Sequence, residues 1–178
     1  MYTLNFIVAF LLVSTTVNYS NGAPVKRQAS TTPITYAQFC NLPLGSTPDQ
    51  ITQYFNGNPG TVIAVSSVSG VTVEMIQYSS SVTPIYAIEL VVTNGKLTSK
   101  AQSGLDTTSH PITAAQYAQI TTGMSKDAVT SLVGVGQILG EGVYGVEIDG
   151  YNGSGSTIAS VIITYTNGVV TAKAEYGL

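Results

Sequence analysis

The stretch PITYAQF (33–39) returns 78 positions later as PITAAQY (111–117). Residues 33–56 align with 111–134 without a gap. Pro33, Ile34, Thr35, Ala37, Gln38, Gly45, Asp49 and Thr52 recur as Pro111, Ile112, Thr113, Ala115, Gln116, Gly123, Asp127 and Thr130, 8 identities in 24. Other pairs keep their character, such as Phe39 with Tyr117, Leu42 with Ile120 and Ile51 with Val129. A second block, IELVVTNGKLTSKAQSGL (88–105), faces VIITYTNGVVTAKAEYGL (161–178) at an offset of 73. Two matched blocks in one order point to duplication rather than chance. The expected organisation is one repeat over 33–105, a linker over 106–110 and a second repeat over 111–178.

Each copy carries the same local signals. Thr35-x-x-Gln38 and Thr113-x-x-Gln116 have the spacing of a capping box, in which hydroxyl and amide satisfy each other's backbone N–H groups. Each opens a short helix with Phe39 and Leu42, or Tyr117 and Ile120, on one face. Gly45 and Gly123 are expected to break those helices. Thr47-Pro48-Asp49 and Ser125-Lys126-Asp127 then start second helices, with the acid on the positive helix end. Ile51, Tyr54 and Phe55 form the apolar stripe of one. Val129, Leu132 and Val133 form that of the other.

After the helices the period falls to two. Strands are expected at 61–68, 71–78, 85–93 and 96–103, then at 137–141, 143–151, 157–166 and 169–176. Asn94-Gly95 and Asn167-Gly168 supply the positive φ values of a type I′ hairpin. The expected class is therefore α+β: two tandem ααββββ repeats forming one curved antiparallel sheet, with helices on one face.

Composition limits what such a fold does. The chain has 178 residues, 6 Lys+Arg and 9 Asp+Glu, with 8% charged residues. A net charge of −3 disfavours nucleic acid, which needs a basic face. One Cys (Cys40) and one His (His110) make no disulfide and no convincing metal set. No catalytic triad, phosphate loop or cofactor motif is visible, so the chain reads as a non-enzyme needing no cofactor. The apolar run LNFIVAFLLV (4–13) is too short to span a bilayer, which takes about 20 residues. It fits a signal peptide over 1–22, followed by a pro-segment or linker over 23–32 that holds the dibasic pair Lys26-Arg27. The expected location is secreted and extracellular, with no membrane span.

The line YAQITTGMSKDAVTSLVG (117–134), set in its tandem helix–helix–meander frame, resembles the beta-lactamase inhibitory protein family. It is similar too to small bacterial outer-membrane lipoproteins of related fold. The resemblance covers about 33–178. It implies an eight-stranded curved sheet with helices on the convex side and a protein partner clamped by the concave side and hairpin tips. This chain differs from the family's inhibitors in its single Cys, its lack of Trp and a turn at 66–70 without a carboxylate.

Strict alternation sets the candidate sites. Tyr86, Ile88, Leu90 and Val92, like Val161, Ile163 and Tyr165, are expected to face the helices. In the last strands Leu97, Ser99 and Ala101, and with them Val170, Ala172 and Ala174, are placed inward. Glu89, Lys100, Gln102, Lys173 and Glu175 then gather on the open face as a weakly charged docking surface. Tyr144 and Tyr151 flank the strand VEID as candidate anchors. Asn152-Gly153-Ser154 is an N-glycosylation pattern. The function expected is a secreted binding protein, an inhibitor or interaction module with an extracellular protein partner. A small-molecule or glycan-binding module and a hydrolase are the alternatives.

Overall fold

The computed structural model describes residues 32–81, 85–105, 110–155 and 159–178. The expected leader, Lys26-Arg27 and residues 106–109 of the linker lie outside the described residues.

The chain runs α1 (Tyr36–Asn41), α2 (Pro48–Tyr54), β1 (Thr61–Val68), β2 (Val71–Ser80), β3 (Tyr86–Thr93) and β4 (Lys96–Ser103). It continues with α3 (Ala114–Gln119), α4 (Lys126–Val133), β5 (Gln137–Gly142), β6 (Val146–Asn152), β7 (Ser160–Thr166) and β8 (Val169–Tyr176). The eight strands form one antiparallel sheet in sequence order. Every helix starts where its cap predicts. Thr35, Thr47 and Thr113 form full capping boxes, and Ser125 accepts from the Ala128 N–H.

The glycines after the first helices have a different task from the one expected. Helices α1 and α3 already end at Leu42 and Ile120, whose backbones are extended. Gly45 and Gly123 come three residues later, at φ 87° and 91°. Their N–H groups donate to Leu97 O at 2.7 Å and Val170 O at 2.9 Å, which ties each helix–helix loop to the last strand of its half. The hairpins form as expected, with Asn94, Gly95, Asn167 and Gly168 all at positive φ. The β1–β2, β3–β4, β5–β6 and β7–β8 turns lie at one end of the sheet.

Directly paired residues share a face of a sheet. One row crosses all eight strands as Val62, Ile76, Leu90, Lys100, Glu141, Glu147, Tyr165 and Val170. The helices pack on this side. Phe39, Leu42, Ile51 and Phe55 join Ile76, Ile88, Leu90 and Leu97 in one core. Ile120, Val129 and Val133 join Tyr151, Val161, Ile163 and Tyr165 in a second. Burying each large side chain contributes roughly 1.5–3 kcal/mol. Tyr54, expected in the α2 stripe, is 40% exposed.

Lys100 sits in this inward row, and that corrects the expected facing of β4 and β8. Val91 pairs with Ser99 but Val92 pairs with Leu97, so Thr98 is an inserted bulge residue. Thr171 is inserted in the same way between Val170 and Ala172. Each bulge flips every later side chain to the opposite face. Leu97 and Val170 remain inward as expected, yet so do Lys100, Gln102 and Lys173. Ser99, Ala101, Ala172 and Ala174 face out.

Candidate partner-binding face

The bulges leave the helix-free face with a composition the alternation did not predict. Its central row reads Thr61, Gln77, Glu89, Ala101, Gly140, Ile148, Thr164 and Ala172. The row beside it, toward the hairpin turns, reads Ala64, Met75, Val91, Ser99, Gly142, Val146, Thr166 and Val169. Small, hydroxyl and aliphatic side chains dominate. Glu89 is the one charge in these two rows and it is exposed, as expected. Lys96 lies at the β3–β4 turn end of the same face, opposite Thr93. No helix covers Met75, Val91 or Ile148, although each is partly buried by its neighbours on the sheet. Such a surface suits a partner that brings apolar bulk and a central cation or hydrogen-bond donor to Glu89.

The other expected contacts separate by burial. Tyr144 stands in the β5–β6 turn and is 86% exposed, on the rim of the sheet. Tyr151 is 3% exposed and belongs to the second core, so it offers no anchor. Glu175 is exposed, but it lies on the helix side and accepts from the Leu178 N–H at 3.2 Å. Asn152 is exposed at the end of β6, where its carbonyl accepts from the Ile112 N–H. The β1–β2 turn at Ser69-Gly70 is tight and has no carboxylate. Cys40 is half-buried against the first core, as a small apolar residue would be.

Lys100 and Lys173 close helix ends. Lys100 Nζ donates to Phe39 O, Cys40 O and Leu42 O at 2.7, 2.9 and 3.0 Å. These carbonyls lie at the end of α1, where Phe39 O also accepts the Leu42 N–H, and a cation there meets the negative helix end. Lys173 Nζ makes the corresponding bond to Tyr117 O at 2.8 Å and sits 4.1 Å from the Tyr117 ring centre. Gln102 is buried too. Its Nε2 donates to Ile138 O at 2.8 Å, across the joint between the halves.

Beneath the second half lies a polar cluster with no counterpart in the first. Lys126 pairs with Glu147 and lies 3.5 Å from Asp149. Lys100 pairs with Glu141 at 3.1 Å. Asp149 is 1% exposed, and both its oxygens lack a well-formed hydrogen bond, as do the hydroxyls of Tyr151 and Tyr165. Burial raises the Asp149 pKa above the usual carboxylate value. Lys126 opposes that rise and Glu141 adds to it. Burial, then the Asp149 charge, pushes Tyr151 up to about 12, and burial with neighbouring Tyr151 also raises Tyr165. Among the described residues no group of three or more His, Cys, Asp or Glu is placed to hold a metal.

This geometry defines an α+β protein with one sheet face packed under helices and the other left open. The chain matches the model of the beta-lactamase inhibitor (BLIP) family over residues 35–146, and it belongs to that family. The resemblance carried by residues 117–134 thus holds. A Streptococcus mutans protein, described as a candidate beta-lactamase inhibitor protein, has the same fold at 15% identity and a TM-score of 0.58. The likeness covers 82% of this chain and 90% of that one. A search among curated proteins gave no match.

Proposed function

We propose that the chain is a secreted, non-catalytic binding protein that docks an extracellular protein on its helix-free sheet face. Membership of an inhibitor family favours a protein partner over a substrate. The observation that carries the reading is the pair of adjacent open rows that hold Met75, Val91, Ile148 and the lone carboxylate of Glu89. Tyr144 adds an aromatic contact at the turn end of the sheet. The apolar leader at 4–13 supports export, and no helix among the described residues is long and apolar enough to cross a membrane.

The two halves are, in this proposal, copies of one unit. Bonds recur in pairs: Gln38 Nε2 to Tyr54 O and Gln116 Nε2 to Leu132 O, or Thr98 Oγ1 to Val91 O and Thr171 Oγ1 to Thr164 O. The polar cluster, absent from the first half, marks where the copies have diverged.

The test is direct binding of the purified chain to beta-lactamases and to proteins of extracellular fluid, with glycan arrays run beside them. A specific protein complex that Glu89→Arg weakens at least tenfold supports the proposal. Retention on glycans alone would overturn it in favour of a carbohydrate-binding module.

A further inference from the structure

The joint between β4 and β5 has no hairpin. It rests on three pairs, Ser99 with Gly142, Lys100 with Glu141 and Ala101 with Gly140. Three side chains clip it. The Tyr36 hydroxyl accepts the Ile138 N–H at 2.6 Å, Gln102 donates to Ile138 O at 2.8 Å, and Glu141 pairs with Lys100.

The same backbone geometry stands open at both outer edges of the sheet. The irregularity between Val62 and Ala64 in β1 matches that between Ile138 and Gly140 in β5. Val62, Ala64 and Val65 are thereby the counterparts of Ile138, Gly140 and Glu141. The offset of 73 makes residues 172–174 of β8 the counterparts of residues 99–101 of β4. Strands β1 and β8 thus carry the two sides of one joint at opposite ends of the sheet, and among the described residues 172–174 of β8 pair with no strand beyond β7.

Each clip is missing there. Ala114 replaces Tyr36, Glu175 replaces Gln102 and Val65 replaces Glu141. Gln102 uses Oε1 for the Leu105 N–H and its amide for Ile138 O. Glu175 keeps the first bond, to the Leu178 N–H, but an ionised carboxylate has no hydrogen for a facing carbonyl. Ala64 replaces Gly140, where an added Cβ would lie 3.2 Å from Lys100 O.

We infer that Tyr36, Gln102 and Glu141 specify the joint between the halves, while Val65, Ala114 and Glu175 close the outer edges to a second copy of this chain. A second copy is the occupant in question because its β1 would meet β8 in the register that β5 already uses on β4. The sheet stops at eight strands because its ends lack three contacts, although the backbone there would allow another strand. The inference rests on the correspondence of the halves and not on the partner proposed above.

The test is sedimentation of the wild-type chain and of the combined variant Ala64→Gly, Val65→Glu, Ala114→Tyr, Glu175→Gln over a hundredfold range of concentration. Val65, Ala114 and Glu175 are exposed and Ala64→Gly removes one methyl, so circular dichroism should show an unchanged fold. The wild type should stay monomeric, and the variant should form head-to-tail oligomers as concentration rises. A folded variant that stays monomeric, or a wild type that associates equally, overturns the inference. Within the chain, Tyr36→Phe keeps the ring and removes the clip. Amide exchange at Ile138 should then quicken at least tenfold, and unchanged exchange would contradict the assignment. A variant that binds a protein partner yet never self-associates would sink this inference and leave the binding face intact.

Discussion

Lys100 and Lys173 occupy matching places yet meet different surroundings. Lys100 is 1% exposed and holds three carbonyls and one carboxylate, whereas Lys173 is partly exposed and holds one carbonyl. Removing a buried charged partner leaves the others desolvated and unpaired. Lys100→Met should therefore cost about 3 kcal/mol in urea unfolding, and Lys173→Met about 1 kcal/mol. Equal losses would refute the distinction. Asp149 gives a pH prediction. Its folded pKa is raised, so the fold favours its proton. That contribution to stability is complete below the unfolded pKa, near 4, and is lost as pH rises through the folded value. The melting temperature of Asp149→Asn, relative to wild type, should therefore climb as pH rises above about 4. A constant difference would show that Asp149 titrates as it does in the unfolded chain.

At the scale of elements, the caps, both Asn-Gly hairpins and the inward rows of β3 and β7 were legible because each follows from local chemistry. Thr-x-x-Gln needs only its own turn, and positive φ needs only Asn or Gly. Replacing Asn94 (φ 49°) by Ala should cost about 1 kcal/mol from backbone strain, plus the loss of its bond to the Thr72 N–H. Urea unfolding of that variant measures it. The bulges at Thr98 and Thr171 were not legible, because nothing in a period of two announces an inserted residue. A signal did exist: Lys100 and Lys173 recur at one position, three residues past an inward Leu97 or Val170. An odd spacing cannot keep both inward without a bulge. Deleting Thr98 removes the bulge and leaves Leu97 and Lys100 both inward by plain alternation, so the first half should keep cooperative unfolding in urea. A deletion that abolishes cooperative unfolding would contradict this.

For the whole molecule, the sequence conveyed the layer order and the existence of a free face but misjudged what covers it. Four charged or amide residues assigned to that face, Lys100, Gln102, Lys173 and Glu175, lie on the helix side. Their transfer turns a polar surface into one of Ala, Ser, Thr, Val and Ile around Glu89, which is better suited to excluding water from a protein interface. Tyr151 was misplaced for a related reason: a tyrosine beside acidic residues reads as surface, whereas here the acid Asp149 is itself buried.

The account turns on which side of the sheet a partner occupies. The decisive measurement compares the affinity of one protein partner for the wild-type chain, for Val91→Arg on the open face and for Gln53→Arg on the exposed side of α2. The account predicts a loss of tenfold or more for Val91→Arg, about 1.4 kcal/mol, with Gln53→Arg unchanged. Binding that survives Val91→Arg but falls with Gln53→Arg would place the partner on the helices and contradict it.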